Sequence, residues 1–318
     1  MVIDKKECLR LLQENEEFLV LSHEHPDGDT LGCAFALCEI LRLMGKKRAF
    51  RCADEITNDF YYMTEGFVND EVENPFVVCV DVADEGLLGS LAGEFGGKAD
   101  LCIDHHMSNT YFAKATYLAD EAAASEIIYD LAKDLPVEMN RYIRNCIYTG
   151  ISTDTGCFRY MNTTARSFSI VASLMEQGID SVIINKLMFE TKTKSFLTLE
   201  MLARETLEYF FDGMCAMITI TQDMYKESGS SEHECYPITA LPRQIEGVLV
   251  GVVIKQKADG SYGISVRTDS GIDASQICSR MGGGGHKGAA GCRSNGTIEE
   301  IKAQILDSVK ISLEGINQ

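Results

Sequence analysis

Three short apolar runs in the first third of this chain stop in the same way. Residues 18–21 run into Ser22-His23-Glu24-His25-Pro26-Asp27-Gly28-Asp29, Phe76–Val80 stops on Asp81, and 101–103 stops on Asp104-His105-His106. Each run is continuous rather than alternating, the pattern of a parallel strand covered on both faces. Between the first two, Leu31, Phe35, Leu37, Leu41 and Met44 recur at helical spacing, and Gly45 sits where a C-terminal cap belongs. Strands alternating with helices predict an α/β fold, a doubly wound and mainly parallel sheet. In such a sheet ligands bind beyond the carboxyl ends of the strands, where His23, Asp27, Asp81 and Asp104 would lie.

The rest of the chain is read in order. A short amphipathic helix is expected over 4–13, strands over 47–52 and 115–118, and helices over 30–44, 121–133, 138–151 and 163–177. The helix at 138–151 runs out into Ser152-Thr153-Asp154-Thr155-Gly156. Residues 180–211 read as almost wholly helical. A new pattern begins at Gly213: strand-like runs at 214–221 and 248–254, an alternating run at 262–267, and Ala258-Asp259-Gly260-Ser261 as a hairpin signal. Residues 226–234 read as a polar loop, 274–281 as a short helix entering Gly282-Gly283-Gly284-Gly285-His286, and 297–311 as a closing helix. The division expected is a catalytic domain over 1–192, a helical linker over 193–212 and a smaller α/β domain with a mixed sheet over 213–318.

Charge narrows the partners. With 29 basic and 48 acidic residues among 318, the formal charge is -19. Duplex DNA and anionic membranes are met by basic patches, so neither is an expected partner. A short anionic ligand held locally by cations and one or two arginines is compatible with this balance. The 12 cysteines form no C-x-x-C pair, and several sit inside apolar runs. They read as small buried hydrophobes of a reduced protein, not as a disulfide framework or zinc ribbon. No signal peptide is legible at the first residues, and no aliphatic run could span a bilayer, so a cytoplasmic location is expected. The sequence leaves the oligomeric state open, a homodimer included.

The clustered acids and imidazoles carry the chemistry. His23 and Asp27 lie four apart, with Pro26 and Gly28 forcing a turn, and Asp29 opens the next helix. The plainer reading makes Asp27 and Asp29 helix caps and leaves His23 on the surface; both readings stay open for this loop alone. Asp81 and the pair His105-His106 weigh toward a site, since five of the six histidines fall in such motifs. Carboxylates and imidazoles without thiols suit Mn²⁺, Mg²⁺ or Fe²⁺ better than a structural zinc. Two such ions about 3.5–4 Å apart can hold a bridging hydroxide against a phosphoryl group, and a carboxylate such as Asp81 can bridge them.

At these residues the chain resembles the DHH phosphoesterase family. The first motif is matched by His23 to Asp29, the second by Asp81, the third by Asp104-His105-His106 and the fourth by Asp154. Gly283-Gly284-Gly285-His286-Lys287-Gly288-Ala289-Ala290-Gly291 matches the signature of the DHH-associated C-terminal domain. The resemblance implies two divalent cations, Mn²⁺ favoured and Mg²⁺, Fe²⁺ or Co²⁺ compatible. It implies His23 and Asp27 on one cation, Asp29, His105 and Asp154 on the other, and Asp81 shared. Asp104 would orient a histidine, and His106 would face the phosphate as a catalytic group. Arg267 resembles a nucleotide-contacting arginine of the family. Gly283, Gly284 and Gly285 would present backbone amides to a phosphate, with His286 beside them. Arg159 is read either as a phosphate contact or as one half of a surface ion pair. His25 is given no role.

Within that resemblance, at this length and with two domains and an acidic balance, the chain looks most like the branch that hydrolyses nanoRNA, linear dinucleotides such as pApA, and 3′-phosphoadenosine 5′-phosphate. The alternatives are a cyclic di-AMP phosphodiesterase, a polyphosphate or pyrophosphate hydrolase, a single-strand exonuclease, and a nucleotide sensor without turnover.

Overall fold

A computed structural model describes residues 1–315 apart from 233, 270 and 286. The chain divides into two compact units, Met1–Thr191 and Lys192–Gln318.

The first unit is built on five parallel strands: β1 (Glu17–Leu21), β2 (Lys47–Arg51), β3 (Phe76–Val80), β4 (Leu101–Asp104) and β5 (Ala115–Leu118), in the order β2-β1-β3-β4-β5. Side chains alternate across the sheet. Phe18 and Val20 join the core formed with the helices Gly28–Leu43, Ala124–Asp134 and Arg141–Asp154, while Leu19 and Leu21 face Leu88, Leu91 and Phe95. Both faces are covered, which is why the strands read as unbroken apolar runs. The strand order reverses between β1 and β3, the switch point where α/β sheets bind ligands.

Glycines set how closely two of those helices approach. A Cβ at Gly32 would lie 2.5 Å from the Cys146 carbonyl oxygen, and one at Gly150 would lie 1.9 Å from Ser125 Oγ and 2.5 Å from Asp29 Oδ1. The helix Arg141–Asp154 therefore lies against the helix Gly28–Leu43 at backbone distance. Its last residue, three beyond the expected end, is Asp154.

The second unit carries a mixed six-stranded sheet in the order β10-β11-β9-β8-β7-β6, with β6 (Glu208–Phe210), β7 (Cys215–Ile220), β8 (Val250–Gln256), β9 (Tyr262–Thr268), β10 (Gly284–Gly285) and β11 (Ala289–Ser294). Only β7 and β8 pair in parallel. The helices Ala274–Ser279 and Ile298–Glu314 pack on one face, and Lys194–Glu205 and Gln222–Ser228 on the other.

Residues 193–212 differ from the expected linker. Phe196, Leu199 and Ala203 are buried against Ile218, Ile220 and Val253, so the helix Lys194–Glu205 belongs to the second core. Residues 208–210 form edge strand β6, too short to show a period, turned back on β7 through positive φ at Phe211, Asp212 and Gly213. Part of the expected loop at 226–234 is the end of the helix Gln222–Ser228, which buries only Tyr225 and so left little apolar pattern. No helix among the described residues is long and apolar enough to cross a membrane. All twelve cysteines are free, nine of them buried.

Candidate metal centre

In the loop after β1 the aspartates cap helices and also lie beside candidate ligands. Asp27 is the N-cap of the helix Gly28–Leu43, its Oδ1 accepting from the backbone N–H of Asp29 and Thr30 at 3.0 and 3.1 Å. The same oxygen lies 3.7 Å from His23 Nε2. Asp29, fully buried, reaches across to the helix Ala124–Asp134, whose own N-cap residue Ala123 has no side-chain acceptor. Its two oxygens accept from Ala124 N and Ser125 N at 2.6 and 2.9 Å.

Asp81 ends β3 in the left-handed region, at φ 57°, a conformation that costs a non-glycine residue energy and is held by its surroundings. It is 4% exposed. Oδ2 lies 3.8 Å from His23 Nε2, and Oδ1 lies 3.5 Å from His105 Nε2. Oδ1 is buried without a hydrogen-bond partner. Asp154 Oδ2 stands 4.0 Å from His105 Nε2. Three candidate ligand groups result among the described residues: His23–Asp27–Asp81, Asp29–His105–Asp154, and Asp81–His105–His106, which shares a residue with each of the first two. Asp81 turns one oxygen to His23 and the other to His105.

The histidine tautomers follow from their partners. His23 Nδ1 lies 2.7 Å from the Glu24 carbonyl and His105 Nδ1 lies 3.0 Å from the Glu121 carbonyl. A carbonyl only accepts, so each Nδ1 carries a proton, and each ring turns its Nε2 toward carboxylates, the nitrogen left to bind a cation once its own proton is displaced. At 3.5–4.0 Å each Nε2 and its facing carboxylate oxygens are too far apart for a good hydrogen bond. They are spaced as neighbouring ligands of one ion, given bonds of about 2.0–2.2 Å.

The electrostatics agree. Burial works against a charge on His23, yet Asp27 and Asp81 outweigh it and hold the imidazole up at about 9. His105 is likewise held up at about 9, where Asp81, Asp29 and Asp154 overcome burial. Burial, with the neighbouring carboxylates, pushes Asp81 and Asp154 well above the usual carboxylate range. The cluster draws in positive charge, and divalent cations fit it. Cys33 does not join as a thiolate, because burial and the neighbouring acids push its pKa well up.

Asp104 and His106 have a different relation. Asp104 Oδ1 accepts from His105 N at 2.9 Å and from His106 Nδ1 at 2.8 Å, while Oδ2 accepts from Asn109 Nδ2 at 2.6 Å. Burial raises the Asp104 carboxyl, but these bonds more than offset it and leave it below its ordinary value. His106 Nδ1 also lies 3.4 Å from Asp81 Oδ1, but its proton is directed to Asp104, which fixes the ring in one tautomer. His25 pairs with Asp54, through both its backbone N–H and its ring.

The remaining expected residues are spread over both units. Arg159 is exposed, and its Nε donates to the Gly156 carbonyl at 2.6 Å; no carboxylate partner for it is found among the described residues. In the second unit Arg267 lies on β9 opposite Ala289 of β11. Gly284 and Gly285 form β10, pairing with Gly291 and Ala290. A Cβ at Gly283 would lie 2.2 Å from the Gly291 carbonyl oxygen, and Gly285 has φ 142° with Ala290 in the way. Sheet packing alone therefore accounts for glycine at 283 and 285. His286 lies outside the described residues.

Sequence reasoning missed Asn109 and Asn162. Asn109 is 5% exposed and sits five residues after Asp104 in a polar loop, with no periodicity to mark it. Asn162 donates to Asp154 Oδ2 at 3.2 Å. The carbonyls of Glu24 and Glu121 carry no side-chain signal at all.

Known proteins align with this arrangement. The N-terminal domain of the DHH family matches residues 17–151, and the DHHA1 domain matches residues 226–312. The bifunctional oligoribonuclease and PAP phosphatase NrnA of Thermus thermophilus is 28% identical over 92% of this chain and 89% of its own. The cyclic-di-AMP phosphodiesterase GdpP of Geobacillus thermodenitrificans is 23% identical over 96% of this chain, which spans about half (49%) of that protein. In fold, an exopolyphosphatase-related protein from Bacteroides fragilis superposes with a TM-score of 0.88 at 19% identity, covering 99% of this chain and 97% of that one. RecJ of Thermus thermophilus, solved with Mn²⁺, gives 0.58 at 12% identity, over 96% and 55%. With both domains matched in series and the same two-unit α/β architecture, the chain belongs to the DHH phosphoesterase family.

Proposed function

We propose that this chain is a phosphoesterase that uses two divalent cations, Mn²⁺ first among them, to hydrolyse very short oligonucleotides and 3′-phosphoadenosine 5′-phosphate. The observation that carries the reading is Asp81, a buried carboxylate with one oxygen toward each of two histidine–carboxylate groups. His23, Asp27 and Asp81 would hold one cation, and Asp29, His105 and Asp154 the other, with Asp81 common to both. Bound there, the cations would lower the pKa of a water and neutralise charge on the phosphoryl oxygens.

The chain's own groups supply the rest. Asp104, itself fixed by Asn109, holds His106 with Nδ1 bonded, so Nε2 is the atom that exchanges a proton with the phosphate. The carbonyls of Glu24 and Glu121 keep His23 and His105 in the ligating tautomer. Arg159 in the first unit, and Arg267 with Gly283, Gly284 and Gly285 in the second, are the substrate-binding residues of this reading. The names of the matched relatives support nucleotides as the substrate class.

The test is Mn²⁺-dependent turnover of pApA, 3′-phosphoadenosine 5′-phosphate, cyclic di-AMP and pyrophosphate by the purified chain. Release of mononucleotide or phosphate from the first two is expected. Cleavage of pyrophosphate alone would reject the substrate class, cleavage of cyclic di-AMP alone would favour the second group of relatives, and binding without any turnover would make the chain a sensor.

A further inference from the structure

One short segment reaches every member of one ligand group and neither of the two residues particular to the other. Residues 121–125 are the end of the connection from β5 and the first two residues of the helix Ala124–Asp134. The Glu121 carbonyl accepts from His105 Nδ1 at 3.0 Å. Ala124 N and Ser125 N donate to Asp29 at 2.6 and 2.9 Å. The Ala122 carbonyl accepts from Asn162 Nδ2 at 3.0 Å, and the same nitrogen lies 3.1 Å from the Asp154 carbonyl and 3.2 Å from Asp154 Oδ2. All three partners of that nitrogen are acceptors, so Asn162 ties the carboxylate of Asp154 to the backbone of the segment.

The segment is in turn pinned from the neighbouring helix Ala165–Glu176. Arg166 donates from Nε to Glu121 Oε2 at 2.9 Å and from Nη2 to Asp130 Oδ2 at 2.7 Å. Ser167 Oγ donates to Glu126 Oε1 at 2.6 Å. His23 and Asp27 are held elsewhere, by the Glu24 carbonyl and by the start of the helix Gly28–Leu43.

We propose that residues 121–125 form a bracket for the Asp29–His105–Asp154 group, and that Asn162 and Arg166 are positioning residues for the cation held there and not for its neighbour. Asn162 acts through Asp154; Arg166 acts through Glu121. The inference rests on the two-cation reading above. It adds a selectivity to that reading: loosening the bracket weakens one cation and spares the other. Groups that orient metal ligands typically change affinity by about 10–100-fold when removed.

The experiment is a calorimetric titration of the full chain with Mn²⁺, alongside electron paramagnetic resonance at two ions per chain and melting of the metal-free protein. Wild type should take up two ions with a spin-coupled signal. Asn162→Ala should weaken one of the two by about 10–100-fold, lose the coupled signal at that loading, and melt metal-free within about 2 °C of wild type. Arg166→Lys keeps the charge but cannot fork between two carboxylates, so it should weaken the same ion by less; it serves as the test if Asn162→Ala does not fold. Two ions at wild-type affinity in the variants, or both weakened equally, would overturn the bracket. A wild-type protein that takes up no Mn²⁺ would instead overturn the two-cation reading, a failure visible before any variant is made.

Discussion

Replacing Asp81 by asparagine should stabilise the metal-free protein while abolishing its response to metal. Asp81 is 4% exposed, its Oδ1 is buried without a donor, and burial together with Asp29 and Asp27 pushes its pKa well up. A buried polar atom left unsatisfied costs about 1–3 kcal/mol, and more when charged. Asparagine keeps the shape, tolerates φ 57°, and removes the buried carboxylate that Asp29 and Asp27 repel. The expected gain is about 1–3 kcal/mol, or about 2–12 °C in melting temperature for a unit of this size. Wild type, by contrast, should gain about 2.7 kcal/mol at a Mn²⁺ concentration 100 times its dissociation constant, and the variant little of that. Melting both proteins in EDTA and in excess MnCl₂ should therefore reverse their order, with hydrolysis lost in the variant. If Asp81→Asn melts below wild type in EDTA and keeps the full increment from Mn²⁺, the shared-carboxylate argument is wrong.

Other outcomes follow from the same geometry. Glu126 is fully buried, and burial pushes its pKa from 4.5 to about 7. Its contribution to stability is intact below about pH 4.5 and is lost as pH rises through 7, a cost of about 3 kcal/mol at most, with the attraction of Arg166 at 3.5 Å already counted in it. Glu126→Gln should thus be more stable than wild type by about 1–2 kcal/mol at pH 8 and equal to it near pH 4.5, as denaturant melts at the two pH values would show. Asp104→Asn confronts three donors, from His105, His106 and Asn109, with only one acceptor oxygen; turnover should fall by about 10–100-fold while Mn²⁺ uptake by calorimetry stays near wild type. Gly283→Ala would force a Cβ to within 2.2 Å of the β11 backbone and should cost about 1–3 kcal/mol in thermal melts, whereas Gly284→Ala, with nothing within 4 Å, should melt like wild type. Equal melting of the two variants would show that glycine at 283 is not set by packing.

The first unit was legible because its chemistry and its fold share a code. A parallel strand covered on both faces must be continuously apolar, so its carboxyl end is marked by the first polar residue, and here that residue is Asp81 after β3 and Asp104 at the end of β4. The helix at 141–154 showed its apolar stripe, and the one at 28–43, buried on nearly all sides, was marked instead by its largely apolar composition between Gly28 and Gly45. Edge strand β6 and the two-residue β10 were not legible, since neither holds enough residues to show a period. Asn109, Asn162 and the carbonyls of Glu24 and Glu121 were hidden for another reason. Their role is to complete a partner found elsewhere in the chain, and a backbone oxygen is the same atom in every residue.

The loop at 23–29 shows how a sequence can leave two readings open that do not exclude one another. A capping aspartate spends its lone pairs on backbone N–H groups, and a carboxylate has about four to offer. Asp27 gives one oxygen to the helix it starts and turns that same oxygen toward His23; Asp29 gives both oxygens to a different helix, 95 residues away, and still faces His105 and Asp154. Capping therefore does not compete with the site. It anchors the carboxylates, so that acids which repel one another would stay in place for the cations proposed above. An aspartate anchored only by the cation would be free to swing out when the site is empty, and the entropy of recapturing it would be charged against metal affinity. Caps supplied by the helices Gly28–Leu43 and Ala124–Asp134 remove that cost in advance. Asp81 is placed instead by its strained backbone, so it is the ligand whose replacement should help the empty fold most.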